Sequence, residues 1–175
     1  AMTEYTLAGS GVEHYRPHFT FQGYRYARIT VSGQATVTDV ASVPISSVTE
    51  QTASFTSGSA LVNRLVLNTL WSQRGNFIEV PTDCPQRDER LGWTGDAQGF
   101  AGTALYLADA KNFLTKYVRD IMADQREDGA VPHVVPDPTR QQPEFYPGFY
   151  GSTGWGDAIA IIPWQIYLHS GDDSI

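Results

Sequence analysis

The sequence predicts an α+β fold arranged by segments, with β-strands in residues 1–52 and helices in residues 53–175. In the first segment, β-branched and aromatic residues alternate with polar ones, which is typical of strands. In the second segment, apolar residues recur at helical spacing. Because the hydrophobic period changes from two to about 3.6 between Gln51 and Ser57, we place the domain boundary near residue 52.

The stretch FQGYRYARITVSG, residues 21–33, predicts a β-strand with a turn at either end. Its even-numbered side chains from Tyr24 to Thr30 face away from its odd-numbered side chains from Arg25 to Val31. The next stretch, ATVTDVASVPISSVTEQ, has the same character, and Pro44 is typical of an edge strand or a bulge. We interpret residues 1–52 as the last strands of a β-sandwich domain.

The second segment contains apolar patterns for four helices. The first pattern runs from Leu61 to Trp71, where Ser57 or Ser59 can cap its start and Gly75 can end it. The second pattern runs from Asp96 to Ala108. The chain after the boundary is therefore expected to be helical apart from its loops.

Two more helical patterns flank a long loop. Asp109 is expected to cap the third helix, which would turn the apolar side chains of residues 113–121 toward a core. The last helix is expected to begin at Pro163, because proline suits the first helical position, and Trp164 would lie in the core. Between them, the stretch VPHVVPDPTRQQPEFYPGFYGSTG has five prolines and four aromatic residues, which favours a functional loop.

Charge and composition exclude several classes of partner. The chain carries 12 Lys and Arg against 19 Asp and Glu, a net charge of -7, which argues against binding to a nucleic acid. No apolar run approaches the roughly 20 residues that a membrane-spanning helix needs, and the N-terminus shows no signal-peptide pattern. We expect a soluble protein with a neutral ligand. A cytoplasmic location is favoured, unless a longer parent chain carries a signal peptide.

The sequence gives little support for a metal site or for a catalytic cysteine. The single cysteine, Cys84, cannot form an internal disulfide, and no histidine is marked as its partner, so we expect a small buried side chain rather than a nucleophile. The four histidines fall in no spacing typical of zinc ligands: His14, His18, His133 and His169. We therefore expect neither a metal nor a cofactor.

The stretch PTDCPQRDERLGWTGD holds the densest group of chemically useful side chains. It brings Asp83, Asp88, Glu89 and Asp96 close to Trp93 in the sequence. Confined carboxylates repel each other and lose solvation, which raises the pKa of at least one toward neutrality. Glycoside cleavage needs one protonated carboxyl group and a second carboxylate, and an aromatic face can pack against a sugar ring. The pattern therefore predicts a glycosidase site.

The same stretch is too rich in proline and glycine to be one helix, so we expect a loop that delivers side chains to a helix end. Asp88 is expected at the surface or in an ion pair, because adjacent residues in an extended loop point in roughly opposite directions. The remaining side chains would converge on one concave surface that a later tryptophan also approaches: Asp83, Arg87, Glu89, Trp93, Asp96 and Trp155.

Plainer interpretations of the same residues stay open. In one alternative, Asp96 has no role in a site and is simply a negative charge at a helix N-terminus, with Thr94 as the cap. Arg87 can be a structural ion-pair partner, or a fork that orients a sugar hydroxyl and a neighbouring carboxylate. Trp155 and Asp157 follow glycines that either let the backbone approach a ligand or form a tight turn into a helix. A calcium loop is disfavoured, because the acids lack the ligand spacing of an EF-hand.

The longer stretch VPTDCPQRDERLGWTGD resembles the signature of the bacterial α-L-rhamnosidases, glycoside hydrolase family 78. FTFQGYRYARITVSG is similar to the strand that closes a sandwich before the catalytic domain of that family. DQREDGAVPHVVP and GWGDAIAIIPWQIYLHSGD resemble downstream segments of the catalytic domain. The resemblance implies that residues 53–175 are the N-terminal part of an (α/α)6 barrel, incomplete in this chain. It also implies the hydrolysis of terminal α-L-rhamnosides with inversion.

The resemblance further implies roles for individual residues. Glu89 matches the general acid of the family. Six residues match or adjoin its sugar-binding positions: Asp83, Arg87, Trp93, Asp96, Trp155 and Asp157. The family's general base is a glutamate on a later barrel helix, so we expect it outside this chain.

An incomplete barrel leaves two functions open. In the first, the rest of a parent chain or a second copy completes the barrel, and the protein hydrolyses rhamnose-containing glycosides or polysaccharides. In the second, the chain is a non-catalytic sugar-binding or structural fragment. Release of rhamnose from an aryl rhamnoside distinguishes the two.

Overall fold

The structure is a computed structural model, and it describes residues 2–140 and 149–175. The described residues contain four α-helices and two short β-strands, which pair antiparallel. In chain order these elements are α1 (Ala60–Asn76), β1 (Phe77–Ile78), β2 (Val80–Pro81), α2 (Thr94–Leu107), α3 (Lys111–Asp124) and α4 (Ala158–Ser170). The helices predicted for the second segment are therefore confirmed. The predicted long loop includes residues 141–148, which lie outside the described residues.

Helix α1 is capped as the sequence predicts. The Ser59 side chain accepts a hydrogen bond from the Val62 N–H at 3.4 Å, which satisfies one free donor of the first turn. The helix continues one residue past Gly75, its predicted end, to Asn76. Leu70 is buried, whereas three other residues of the apolar stripe are exposed: Leu61, Leu65 and Trp71.

Helices α2 and α4 pack against each other, and α2 is built from small residues at this interface. Ala101 and Ala104 have no exposed surface, and they belong to one buried cluster with Ile162 of α4. At Gly102 a Cβ atom would lie 2.9 Å from the Gln165 side-chain oxygen. The two helices thus approach closely because α2 lacks bulky side chains on this face.

Helix α3 supplies a large part of the core. The five residues predicted to face the core are buried: Phe113, Leu114, Tyr117, Val118 and Ile121. Phe113 also stacks on Phe77 of β1, with ring centroids 4.4 Å apart. Because α4 packs against both α2 and α3, the core lies among these three helices.

Two predicted helix caps are wrong. The N-cap residue of α2 is Trp93 rather than Thr94, whose hydroxyl donates to the His133 carbonyl at 3.0 Å. The N-cap residue of α3 is Ala110 rather than Asp109. Neither helix has a side-chain cap hydrogen bond, and Thr94 and Ala110 have no exposed surface. At α2, the Thr94 N–H donates to the His133 carbonyl at 2.9 Å instead.

The predicted start of α4 is also wrong, because Pro163 lies inside the helix, which begins at Ala158. An internal proline removes one backbone hydrogen bond, but the complete burial of Ala158, Ile162 and Ile166 on one face outweighs that cost. Trp164 does not lie in the core, since it is 55% exposed. Although α4 is apolar, no helix in the described chain is long and apolar enough to cross a membrane.

Residues 2–50 contain no assigned strand or helix. Side chains on both faces of the predicted strand are exposed, among them Tyr24, Tyr26, Ile29 and Val31. A strand needs neighbouring strands for its backbone hydrogen bonds, and the described residues offer this stretch none. The structure therefore does not confirm the β-sandwich, which stays a prediction, as does the domain boundary near residue 52.

The end of this N-terminal segment is anchored on the helical part. Val48 is buried in the core cluster, and the Ser47 N–H donates to the Phe77 carbonyl at 2.7 Å. Gln51 forms an isolated antiparallel bridge with Ala108, next to the end of α2. These contacts hold residues 47–51 against the helical core just before α1 begins.

Replacing Leu114 with alanine should destabilise the protein by about 2–5 kcal/mol, because a fully buried side chain leaves a cavity. The measurement is the free energy of unfolding in urea. Leu61→Ala is the matched control, since Leu61 is 84% exposed. It should change the free energy of unfolding by no more than about 0.5 kcal/mol. Similar losses in both variants would contradict a core centred on α3.

Candidate active site

The segment between β2 and α2, residues 82–93, folds back on itself, and we call it the signature loop. It closes where Thr82 pairs with Gly92, and where the Asp83 N–H donates to the Leu91 carbonyl at 3.0 Å. It contains neither a helix nor a strand, as its prolines and glycines predict. The loop therefore presents the side chains in its middle as one group.

Gly92 joins the signature loop to the helical core. Its carbonyl accepts hydrogen bonds from the Tyr117 hydroxyl at 2.7 Å and from the Val135 N–H at 2.8 Å. A Cβ atom at this position would lie 2.2 Å from the Val135 carbonyl oxygen, so only glycine fits. Burial raises the pKa of Tyr117 well above its ordinary value, so its hydroxyl remains a donor.

The Glu89 carboxylate is the centre of the side-chain contacts in the signature loop. Its Oε1 accepts a hydrogen bond from the indole Nε1 of Trp93 at 2.9 Å. Its Oε2 accepts one from Nε of Arg87 at 2.9 Å, and Nη2 of the same guanidinium lies at 2.7 Å. The Cys84 sulfur lies 3.7 Å from Oε2. Both carboxylate oxygens of Glu89 are thus engaged by neighbours within the same stretch of chain.

These contacts lower the pKa of Glu89 below its ordinary value. The largest cause is the hydrogen bond from Trp93, and the contact with the Arg87 guanidinium acts in the same direction. Crowding predicts a raised pKa for at least one carboxyl group of this stretch, and Glu89 is not that group, because the donors and the cation stabilise its charged form. Glu89 is therefore held as a carboxylate.

Asp83 and Asp96 line the same cleft, which lies between the end of α1 and the start of α2 and has a volume of about 310 Å³. The Asp83 side chain is only 10% exposed, and one oxygen accepts a hydrogen bond from the Leu91 N–H at 3.1 Å. Its other oxygen lies 3.5 Å from the Arg87 guanidinium. Asp96 is exposed in the first turn of α2. A cleft of this size suits a small ligand.

Asp83 connects the cleft to Glu89. One potential metal-ligand atom from each of Asp83, Cys84 and Glu89 lies within 4.8 Å of the other two, a spacing at which they could bind one metal ion. Arg87 already forms ion pairs with both carboxylates, however, and burial raises the pKa of the Cys84 thiol, which disfavours the thiolate a metal would need. The set suits an internal ion pair better than a metal. Cys84 is buried, as predicted.

Trp93 begins a row of aromatic rings. Ring centroids lie 5.7 Å apart between Trp93 and Phe149, 5.3 Å between Phe149 and His133, and 5.3 Å between His133 and Trp155. A Cβ atom at Gly95, in the first turn of α2, would lie 2.9 Å from the Trp155 ring. The row therefore brings Trp155 to the start of α2. Asp96, the residue after Gly95, lines the cleft there.

His133 holds the middle of this row as a neutral ring. Burial lowers its pKa, and its Nε2 accepts a hydrogen bond from the Ser152 N–H at 3.4 Å. Its backbone carbonyl accepts a hydrogen bond from the Thr94 N–H at 2.9 Å. Neither His133 nor Phe149 was predicted to have a role in the site. The only signal for them was the number of aromatic residues in the loop after α3.

Asp157 and Asp88 stand apart from the carboxylate group. Asp157 is exposed at the N-cap position of α4, and it accepts a hydrogen bond from the Gly154 N–H at 3.4 Å. None of its contacts in the described chain reaches Glu89 or Asp83. This geometry supports a tight turn into a helix, and the sugar-binding role of Asp157 stays a prediction. Asp88 is exposed, as predicted.

Comparison with protein families places the chain. The model of the bacterial alpha-L-rhamnosidase 6 hairpin glycosidase domain matches residues 50–175. The chain belongs to this family. A model of the bacterial alpha-L-rhamnosidase concanavalin-like domain matches residues 1–47. The resemblance of the signature loop to the bacterial α-L-rhamnosidases is thereby confirmed.

Curated relatives include an alpha-L-rhamnosidase of Formosa agariphila, 40% identical over 98% of this chain, and one of Streptomyces avermitilis, 41% identical over 100%. The chain spans 18% and 16% of their lengths, respectively. The crystal structure of the Streptomyces avermitilis alpha-L-rhamnosidase complexed with L-rhamnose matches with a TM-score of 0.66 and 41% identity. That match covers 73% of this chain and 12% of the other. The chain is thus similar to a small part of each relative.

Replacing Trp93 with phenylalanine should raise the pKa of Glu89 toward its ordinary value of 4.5, because the indole N–H that stabilises the charged form is lost. The measurement is an NMR titration of the Glu89 carboxyl carbon. Trp71→Phe is the matched control, since Trp71 is exposed on α1 and should leave this pKa unchanged.

The lowered pKa of Glu89 also makes stability depend on pH. A group whose pKa is lowered by folding contributes stability above the pKa of the unfolded chain and loses it as the pH falls through the folded value. We therefore expect the wild type to lose thermal stability more steeply than Glu89→Gln below pH 4.5, the ordinary pKa of the group. Identical pH dependence of the two melting temperatures would contradict these contacts.

Proposed function

We propose that this chain supplies the general acid and part of the sugar-binding site of an α-L-rhamnosidase. The observation that carries the proposal is the position of Glu89, which contacts the Trp93 indole and the Arg87 guanidinium and lies close to Asp83. Family membership and the relative solved with L-rhamnose support rhamnose as the sugar. The substrates would be rhamnose-containing glycosides or polysaccharides.

In the proposed reaction, Glu89 protonates the glycosidic oxygen as the bond between this oxygen and the anomeric carbon breaks. A water molecule attacks the anomeric carbon from the opposite face and gives a proton to a general base, so the configuration inverts. The two carboxyl groups of such a site stand about 6.5–9.5 Å apart, which leaves room for the water. We place the general base outside this chain, as the resemblance implies.

Glu89 must be protonated to act as an acid, whereas its contacts in the free site hold it as a carboxylate. We propose that the sugar reverses this balance. The Arg87 side chain is 60% exposed, so it can turn from Glu89 toward a sugar hydroxyl. Loss of the cation and exclusion of water by the sugar would both raise the pKa of Glu89. Arg87 would thereby link sugar binding to protonation of the acid.

The other predicted site residues would hold the sugar. Asp83 and Asp96 face the same cleft, and carboxylates accept hydrogen bonds from sugar hydroxyls. Trp93 and Trp155 end the aromatic row and would offer flat apolar faces to the C–H side of the ring. We assign Asp157 an outer contact, because it is exposed and lies close to Trp155 in the chain.

A non-catalytic sugar-binding role is the second candidate, and the lowered pKa of Glu89 favours it. A carboxylate that stays ionised can accept hydrogen bonds from sugar hydroxyls but cannot protonate a leaving group. The two roles differ in how the loss of Glu89 depends on the leaving group. They also differ in whether a longer protein with this chain as its part releases rhamnose at all.

In the longer protein that carries this chain, Glu89→Gln should lower kcat on natural rhamnosides by about 10²–10⁴-fold while largely keeping rhamnose affinity. Glutamine keeps the shape of the side chain but has no acidic proton to give. The loss should be smaller on nitrophenyl rhamnoside, because an acidic phenol leaves with little protonation. Glu127→Gln, at an exposed position, is the matched control and should keep full activity. Equal losses on both substrates would assign Glu89 to sugar holding.

The chain of 175 residues by itself should release no nitrophenol from nitrophenyl rhamnoside unless a second copy completes the barrel, because we place the general base outside it. The measurement requires a sample whose intact mass and monomeric state are both verified. Turnover by that monomer would show that the base lies within this chain.

A further inference from the structure

The N-terminal segment touches the signature loop at one short stretch. Between residues 14 and 45, only Phe21, Gln22 and Gly23 are half-buried, and the other residues are exposed. This stretch contacts Pro85 and Arg90 of the signature loop. The contact is therefore local, and it falls on the part of the loop that carries Glu89.

Gly23 meets the loop backbone to backbone. Its N–H donates to the Pro85 carbonyl at 3.1 Å. A Cβ atom on Gly23 would lie 2.7 Å from the carbonyl carbon and oxygen of Pro85, and 2.8 Å from the Gln86 nitrogen. Because these are backbone atoms, any side chain at this position would have to displace the loop itself.

Phe21 meets the loop through a cation–π contact, with the Arg90 guanidinium carbon 4.6 Å from the ring centroid. Arg90 directly follows Glu89 and has a φ of 58°, a left-handed conformation that costs energy for a residue other than glycine. The contact with Phe21 restricts the direction of the Arg90 side chain directly after Glu89.

The middle of the signature loop has few other supports. In the described chain, the hydrogen bonds of residues 83–91 join partners within the loop, apart from the bond donated by Gly23. Gln86, Arg87 and Asp88 are exposed. The position of Glu89 therefore depends on the N-terminal stretch as well as on the contacts inside the loop.

We propose that Phe21 and Gly23 are positioning residues that set the geometry of Glu89 from outside the helical part. They hold Pro85 and Arg90 on either side of it, so that the Glu89 carboxylate reaches the Trp93 indole. The proposal rests on the proposed role of Glu89 as the general acid. Neither positioning residue would touch the sugar.

The first test is Gly23→Ala in the longer protein, with kcat measured on a natural rhamnoside and on nitrophenyl rhamnoside. A displaced acid should lower kcat on the natural substrate by about tenfold or more, with a much smaller loss on the nitrophenyl substrate. Gly58→Ala is the matched control, because a Cβ atom there meets open space. Melting temperatures of both variants separate unfolding from displacement.

The second test combines Gly23→Ala with Glu89→Gln. If Gly23 acts through Glu89, adding Gly23→Ala to the glutamine variant should cause no further loss of kcat. A further loss of about tenfold in the double variant would overturn the proposal, as would unchanged kcat in Gly23→Ala alone. If Glu89→Gln itself shows no dependence on the leaving group, the proposed function fails rather than the positioning role.

A third test does not use activity and covers the case in which Gly23→Ala fails to fold. Phe21→Leu keeps an apolar side chain but removes the aromatic face, and Phe21→Tyr keeps that face. In 15N-tryptophan-labelled protein, Phe21→Leu should shift the Trp93 indole N–H resonance, and Phe21→Tyr should restore it. Phe19→Leu is the control, because Phe19 is fully exposed. An unmoved Trp93 resonance in Phe21→Leu would overturn the role of Phe21.

Discussion

The signature loop stands on the helical core through the backbone of Gly92. Its carbonyl takes hydrogen bonds from the Tyr117 hydroxyl of α3 and from the Val135 N–H, and the strand bridge to Thr82 closes the loop at the same residue. There is no room for a side chain against Val135. This constraint fixes the position of the closed end of the loop, from which the site side chains extend. The Thr82 N–H and hydroxyl both donate to the Asn76 carbonyl at the end of α1, each at 2.8 Å, so the loop is attached to the helices at both ends of its base.

The sequence revealed the members of the site better than its electrostatics. Composition and resemblance brought Asp83, Arg87, Glu89 and Trp93 together, and these side chains do contact one another. The direction of the Glu89 pKa was not predictable, because counting carboxylates gives repulsion, whereas the shift depends on which donors point at which oxygen. The contact of Gly23 with the loop left no local pattern at all, since it joins residues far apart in sequence. Contacts of this kind need three-dimensional structure.

The same division applies to the fold. The buried face of α3 follows from helical spacing alone, and the Ser59 cap follows from local side-chain chemistry. Pro163 misled the prediction, because its preference for a helix start is weaker than the burial of Ile162 and Ile166 around it. Asp109 misled it as well, since α3 has the fully buried Ala110 as its N-cap residue and no side-chain cap. Local propensity holds at exposed helix ends and yields to packing at buried ones.

The outer side of α4 carries exposed apolar side chains, which affects how the protein behaves in solution. Trp164 and Tyr167 stack there with ring centroids 5.5 Å apart, and both are exposed, as is Leu168. An apolar surface of this kind tends to associate in water, and association grows with the amount of material in solution. Association through this surface would make the species at millimolar concentration differ from the species at nanomolar concentration. Spectra and activities of this chain are best measured over a dilution series, so that properties of the single chain are distinguished from effects of association.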